Sequence, residues 1–301
     1  MGDFKLFTSL RYDPALVRVP GEGFTNAGWN QDPSAFYMLD LHRDRLLRAA
    51  TYWGWTDAIN AIAGDEGLKR LEVFLANAVR DVGEMPHRVK VELSQDGTLS
   101  HMKSPTPNVP LYNLFPPFLP SPGEEVSTQT EARGAAARKA PSKSPEYEVL
   151  VDTQPTTKSE FTHYKTTRRD MYDGARARGR LALADLKEVL LVNDDGGLVM
   201  EGSLTTCYFW RDGKWVTPVV PPAYGSGQGS GGNDGTTRRW ALEKYVRPFS
   251  SALYTLGKKV NTNSHLVTEQ NITASSLADG EECWLSNGVR GFLFGRVKLG
   301  A

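Results

Sequence analysis

Cysteine is scarce in this 301-residue chain. The two that occur, Cys207 and Cys283, stand beside aromatic residues and in no CxxC or Cys/His cluster. That argues against a disulfide framework and against a zinc site, and leaves both as reduced packing residues. A surplus of charge is missing too: 35 Lys+Arg balance 35 Asp+Glu for a formal net charge of +0. Nothing in such a field draws the protein to nucleic acid or to an anionic membrane, so the expected partner is a small molecule. No apolar run approaches the roughly 18 residues of a spanning helix. The N-terminus lacks a signal-length apolar run, and Leu6 stands where a myristoylation motif has Ser or Thr. No metal site, no membrane span and a cytoplasmic location are the expectations.

What is present suffices for two domains with buried cores. Aromatic and β-favouring residues over 4–12 predict a first strand. A short strand is expected over 36–40, feeding a helix from about Leu41 whose Leu46, Leu47, Ala50 and Trp53 recur at helical spacing. The stretch 67–82 predicts an amphipathic helix ended by Gly83. Over 87–93, Val89, Val91 and Leu93 alternate with polar residues, and Asp96-Gly97 turns the chain back through Leu99 and Met102. This first part, 1–119, is α+β. From 104 onward prolines accumulate, and then large apolar residues nearly vanish. A segment of that composition buries too little surface to offset its ordering entropy, so 120–145 predicts a flexible insertion or linker.

Over 146–301 the signals are mostly of sheet. Strands are expected at 147–152, at 188–193 and 197–200 around Asp195-Gly196-Gly197, at 205–210 and 214–217 around Asp212-Gly213, and at 283–285 and 292–297. Helices are expected over 171–183 and 236–246, the latter after a glycine-rich stretch from 221 to 235.

Four places carry chemistry. Lys165, in Phe161-Thr-His-Tyr-Lys-Thr-Thr-Arg-Arg-Asp170, sits where an element ends, although most lysines are solvated charges. Asp234-Gly-Thr-Thr-Arg-Arg239 offers Gly235, Thr236 and Thr237 at a helix N-terminus, where a phosphate fits as well as an ordinary cap does. It matches neither a P-loop nor a GxGxxG turn. Arg45, in His42-Arg-Asp-Arg-Leu46, is either a phosphate clamp or part of a solvated face. Glu201, at a strand end in Glu201-Gly-Ser203, is either a turn residue or a carboxylate able to keep a heterocyclic nitrogen protonated.

Taken in order with Trp284-Leu-Ser-Asn-Gly-Val-Arg-Gly291, these motifs resemble those of the fold-type IV pyridoxal-phosphate enzymes, the class-IV aminotransferase family. The likeness is greatest to its 4-amino-4-deoxychorismate lyase branch, especially the fungal members. The resemblance implies a smaller α/β N-terminal domain, a C-terminal pseudo-barrel domain, pyridoxal 5′-phosphate in the cleft between them, and a homodimer. It also implies a role for each residue. Lys165 would form the Schiff base and shuttle the proton. Glu201 would bond the pyridine nitrogen, and Arg45, the Thr236 amide, Thr237 and Ser286, with Asn287 beside it, would hold the cofactor phosphate. Burial and the nearby Arg168 or Arg169 would favour loss of the lysine proton.

The implied reaction converts 4-amino-4-deoxychorismate into 4-aminobenzoate and pyruvate for folate synthesis. The competing readings are an aminotransferase of branched-chain, D- or (R)-amines and a non-catalytic binding descendant. Two departures from the family pattern stand out: Thr206 replaces the usual Asn of Glu-Gly-Ser-x-Thr-Asn, and the loop 221–233 is unusually rich in glycine.

Overall fold

The first β-favouring stretch forms β1 (Leu6–Tyr12), followed by a 3₁₀ stretch over Pro14–Glu22. A computed structural model describes residues 4–22, 24, 33–125, 140–243 and 267–300. Helices α1 (Leu39–Tyr52), α2 (Thr56–Ile62) and α3 (Gly64–Ala78) come next, then strands β2 (His87–Leu93) and β3 (Leu99–Pro105). The three strands make one antiparallel sheet in the order β1-β2-β3. Alternation works as expected on β2: Val89, Val91 and Leu93 are fully buried, while Arg88, Lys90 and Glu92 take the opposite face. Leu6 and Leu10 of β1 pack on the apolar stripes of α1 and α3, so the helices cover one face of this sheet. The other face, with Phe7, Ser9, Arg88 and Lys90, looks into a cavity.

Two expectations for this region are corrected. No strand forms over 36–40: Phe36 makes only an isolated bridge to Tyr12, Met38 has φ 51°, and Leu39 already begins α1. Tyr37, fully buried, donates to the Leu114 carbonyl at 2.5 Å, so the apolar run meets its burial from a turn. A run that short does not distinguish strand from turn or helix. The helix expected over 67–82 is α3, which starts at Gly64, three residues earlier, and ends at Ala78. Gly67 is not its start but a contact point, where a Cβ would lie 2.1 Å from the carbonyl carbon of Ile62.

The chain continues through α4 (Leu111–Leu114), β4 (Glu146–Val151), α5 (Glu160–His163), α6 (Asp170–Arg178), β5 (Lys187–Val192) and β6 (Val199–Gly202). Then come β7 (Thr206–Arg211), β8 (Lys214–Thr217), α7 (Thr236–Glu243), β9 (Thr268–Glu269), β10 (Glu282–Asn287) and β11 (Gly291–Lys298). Eight of these strands form a second sheet, β6-β5-β4-β11-β10-β7-β8-β9, which curls into a half-barrel. Asp212 and Gly213 both have positive φ in the two-residue turn joining β7 to β8, the geometry that matches strand twist.

Period-two alternation sorts this sheet as well. Cys207, Phe209, Cys283 and Leu285 fill one core, with both cysteines free and buried. Thr206, Tyr208 and Ser286 take the opposite face, toward α7. The helix expected over 171–183 is shorter, stopping at Arg178 before Gly179, and Arg180 has φ 53°. Beyond Glu243, the expected helix to 246 runs outside the described residues. So does the centre of the predicted insertion, 126–139. Its described flanks are held: Trp215 Nε1 donates to the carbonyls of Leu119 and Pro120, and Lys143 pairs with Glu282 at 2.8 Å. Among the described residues no helix is long and apolar enough to cross a membrane.

Candidate active site

Lys165 owes its position to β1. After α5, whose Ser159 and Thr162 form a capping box, the chain runs beside that strand. Phe7 donates its amide to the Lys165 carbonyl at 3.0 Å, Leu6 bridges Thr166, and Thr167 donates to the Lys5 carbonyl at 2.9 Å. The lysine is thereby pinned to the edge of the small sheet, with Nζ 5.0 Å from the centre of the Phe7 ring. It is half-buried and faces a cavity of about 770 Å³ between the polar face of the small sheet and the half-barrel. Arg45, Glu201, Thr236, Thr237, Ser286 and Asn287 line the same cavity, so all seven residues singled out from the sequence converge there.

Burial, above all, holds the Lys165 amine well below the usual lysine range; Arg169 and then Arg45 add to this, and Glu201 opposes it. Of the two arginines expected to act on the amine, only Arg169 does so. Arg168 lies over the rings of Phe161 and Phe4, at 4.8 and 5.9 Å. Glu201 is held at one oxygen: Oε1 accepts the Tyr172 hydroxyl at 2.7 Å and the Asn233 amide at 2.9 Å. Burial raises its pKa, although the Tyr172 bond and the Lys165 charge favour ionisation. Its Oε2 has no hydrogen-bond partner among the described residues, and the residue lines the cavity.

At the other end, Arg45 is buried although its helix also carries Arg43, Asp44 and Arg48. Those neighbours are engaged elsewhere: Arg43 donates to the Gly64 carbonyl at 2.7 Å, and Arg48 pairs with Asp234 at 2.7 Å. Arg45 Nη2 donates to Thr8 Oγ1, which lies 2.6 Å from His42 Nδ1. The Thr8 hydroxyl thus links the guanidinium to the imidazole, accepting from the first and hydrogen-bonded to the second. His42 is held neutral by burial, then by Arg45 and Lys165. Arg45 Nε, a buried donor, and the buried His42 Nε2 have no hydrogen-bond partner among the described residues. Across from them, Thr237 Oγ1, Ser286 Oγ and Tyr208 Oη form a hydroxyl chain with steps of 2.7 and 2.8 Å. The amides of Thr236 and Thr237, at the α7 N-terminus, have no acceptor among the described residues. The Asn287 side chain shapes the turn, accepting the amides of Val289 at 3.0 Å and Arg290 at 2.8 Å. Thr206, the departure from the family pattern, packs under Gly235, where a Cβ would come 2.9 Å from its hydroxyl.

Gly288 closes the floor beneath His42. A Cβ there would lie 2.4 Å from His42 Cε1 and 3.0 Å from the Ser9 carbonyl, so Gly288→Ala is expected to destabilise the fold by about 1–3 kcal/mol. Urea denaturation measures it; an unchanged midpoint would contradict this packing. His163, buried beside Lys165 in the chain, is pushed down to about 4, mainly by burial and against the pull of Asp234. The unfolded chain binds this proton near 6.5 and the folded chain resists it, so stability is lost as pH falls from 6.5 toward 4, by up to about 3 kcal/mol. His163→Gln is expected to flatten that acid limb in denaturation midpoints measured from pH 7 to pH 4. A limb as steep as that of the wild type would refute it.

A half-barrel and a small α/β layer thus close on one cavity that holds a lysine, a carboxylate and a cluster of hydrogen-bond donors, the candidate active site of an enzyme. The family model for amino-transferase class IV matches residues 24–296, and the chain belongs to that family. Enzymes of the family use pyridoxal 5′-phosphate. The chain is 32% identical over 164 residues to aminodeoxychorismate lyase of Saccharomyces cerevisiae, a match that covers 50% of this chain and 37% of that protein. It thus spans well under half the length of the curated relative it matches. Among solved structures, 4-amino-4-deoxychorismate lyase from Pseudomonas aeruginosa superposes with a TM-score of 0.51 at 16% identity, covering 98% of this chain and 83% of that one. A fold IV-transaminase from Curtobacterium pusillum gives 0.53 at 16% identity, with coverages of 98% and 76%. At such identities these two establish the fold alone.

Tyr172, Asn233, Thr8, Arg88 and Arg290 escaped the sequence reading. Arg290 lies within the 284–291 motif without a role assigned to it there; the others lie outside the quoted motifs. Only the polar phase of β2 hinted at Arg88, and nothing in the chain said which face would meet the half-barrel.

Proposed function

We propose that this chain is a pyridoxal-phosphate-dependent lyase that converts 4-amino-4-deoxychorismate into 4-aminobenzoate and pyruvate. The observation that carries the reading is the meeting, in one cavity, of a lysine with a depressed pKa, a carboxylate with one free oxygen, and an anion cradle with orphaned donors. Those residues fit the cofactor. Arg45, the amides of Thr236 and Thr237, and the Thr237 and Ser286 hydroxyls would hold its phosphate. Glu201 Oε2 would accept the ring N–H, and Lys165 would hold the cofactor through its amine nitrogen. Bound there, the cofactor supplies a protonated ring that accepts charge from a substrate carbon as its proton leaves.

Lys165 Nζ is then the base that takes the proton from the ring carbon bearing the substrate amine. Its environment keeps the amine neutral enough to do so. Tyr172 and Asn233 fix the Glu201 carboxylate, and the Arg45-Thr8-His42 chain fixes the guanidinium. In the same reading the enzyme is a cytoplasmic homodimer serving folate biosynthesis, and it divides into domains over 1–119 and 146–301, joined by 120–145.

The similarity to the yeast lyase favours elimination over transamination, the second activity of the family. Incubating the purified protein, loaded with cofactor, with 4-amino-4-deoxychorismate tests this. Release of pyruvate and 4-aminobenzoate with no amino acceptor supports the lyase. Turnover that depends on an added 2-oxo acid supports the transaminase and overturns this reading.

A further inference from the structure

The cavity holds more positive charge than a phosphate accounts for. Its basic lining side chains outnumber its carboxylates, which are Asp173 and Glu201. Most of the bases have partners in the protein. Lys90 pairs with Glu92 at 2.7 Å, Arg176 with Glu188 at 3.9 Å, and Arg169 with Asp173 at 3.8 Å. Arg45 belongs to the cradle described above, and Lys165 to the reacting centre. Arg88 and Arg290 are left.

Strand alternation sends Arg88 to the cavity face of β2, where Nη2 donates to Ser9 Oγ at 3.2 Å. Arg290 reaches the cavity from the turn between β10 and β11, which is fixed by the bond from its amide to Asn287 Oδ1; its Nη1 donates to Tyr147 Oη at 3.1 Å. Among the described residues, neither guanidinium has a carboxylate within ion-pair distance. Both are half-buried, and they come from different sheets. Burial lowers the Arg88 pKa first, and repulsion from Arg169 and Arg290 lowers it further; both guanidinium groups line the one cavity, with no carboxylate paired to either among the described residues. Two planar guanidinium forks in one cavity wall suit a carboxylate, which accepts paired N–H bonds.

We propose that Arg88 and Arg290 form a second anion subsite of this cavity, which takes a carboxylate of the substrate and selects cyclic amines carrying a carboxylate remote from the amino group. The inference rests on the reading of the cavity as the lyase site and adds to it which side chains recognise the acid. Glu201 and the phosphate cradle act on the cofactor end; this pair acts on the substrate end.

Titration calorimetry with chorismate tests it, because chorismate has the carboxylates and a hydroxyl in place of the amine. Wild type, Arg88→Gln and Arg290→Gln are compared, each loaded with cofactor. Both variants are expected to keep the cofactor absorbance and melting temperature of the wild type. The Kd for chorismate should rise roughly tenfold or more in each, the scale of one lost charge-assisted bond. KM for 4-amino-4-deoxychorismate should rise by more than kcat falls. Arg88→Lys, which keeps the charge without the fork, should lie between wild type and Arg88→Gln, and it replaces Arg88→Gln should that variant fail to fold. Unchanged chorismate affinity in the folded variants overturns the subsite, as does a cofactor-loaded wild type that does not bind chorismate. A wild type that binds chorismate with these losses but yields no 4-aminobenzoate supports the subsite and overturns the lyase reading instead.

Discussion

Lys165→Ala is expected to abolish turnover, lowering kcat by at least about 10⁴-fold, since in the proposed function one side chain would supply both the covalent hold on the cofactor and the proton transfer. Its surroundings are built for the neutral amine. Burial is the largest influence and Arg169 and Arg45 the next, while Glu201 alone among the main neighbours pulls toward the charged form. The phosphate end does not depend on this residue: Arg45 is fixed by Thr8, and Thr237 by Ser286. The variant should therefore still bind pyridoxal 5′-phosphate, more weakly and reversibly, with equilibrium dialysis showing saturation and steady-state assay showing no product.

An apolar side chain of similar length at position 165 is expected to stabilise the cofactor-free protein. The unfolded lysine is protonated up to its ordinary pKa, whereas the folded site disfavours that charge. Lys165→Met should therefore raise the melting temperature of the cofactor-free protein at neutral pH. Activity retained in Lys165→Ala would remove the basis of the mechanism.

Glu201→Gln is expected to lower kcat by about 10²–10³-fold, the range found when one preorganised electrostatic partner is lost. The argument lies in which oxygen is already engaged. Oε1 accepts both the Tyr172 hydroxyl and the Asn233 amide. A glutamine keeps its carbonyl oxygen there, because reversing the amide would set its NH₂ against the Asn233 N–H. The NH₂ then points into the cavity, a donor where the ring nitrogen requires an acceptor. Folding should be nearly unaffected, since both internal bonds survive. A large loss of kcat with an unchanged melting temperature is the predicted pattern; equal losses in both would assign Glu201 to the scaffold.

Much of this site was legible before any coordinates, and the reason is local. Lys165 follows the end of a short helix, Glu201 and Ser286 sit near strand ends, and Thr236 and Thr237 begin a helix, so short motifs mark them. The burial of Arg45 was not legible. It depends on Arg43 and Arg48 being drawn off to the Gly64 carbonyl and to Asp234, and Asp234 is far away in the chain. Arg88, Arg290, Tyr172 and Asn233 were hidden for the same reason: the packing of one sheet against another decides what they face. The run at 36–40 read as strand because its residues favour sheet, but the burial of Tyr37 beneath α4 is satisfied by a turn. Arg168 and Arg169 were equivalent in sequence; the rings of Phe4 and Phe161 hold the first, and the Tyr172 ring and the Ser203 carbonyl hold the second in the cavity wall.

The most direct test of the central claim is to find which side chain carries the cofactor. Borohydride reduction of the cofactor-loaded protein, followed by trypsin digestion and mass spectrometry, fixes and locates the attachment. The predicted result is a phosphopyridoxyl adduct on Lys165, within the missed-cleavage peptide spanning 159–168, and none in Lys165→Ala. An adduct on another lysine, or no adduct in a protein that holds the cofactor, would contradict the account.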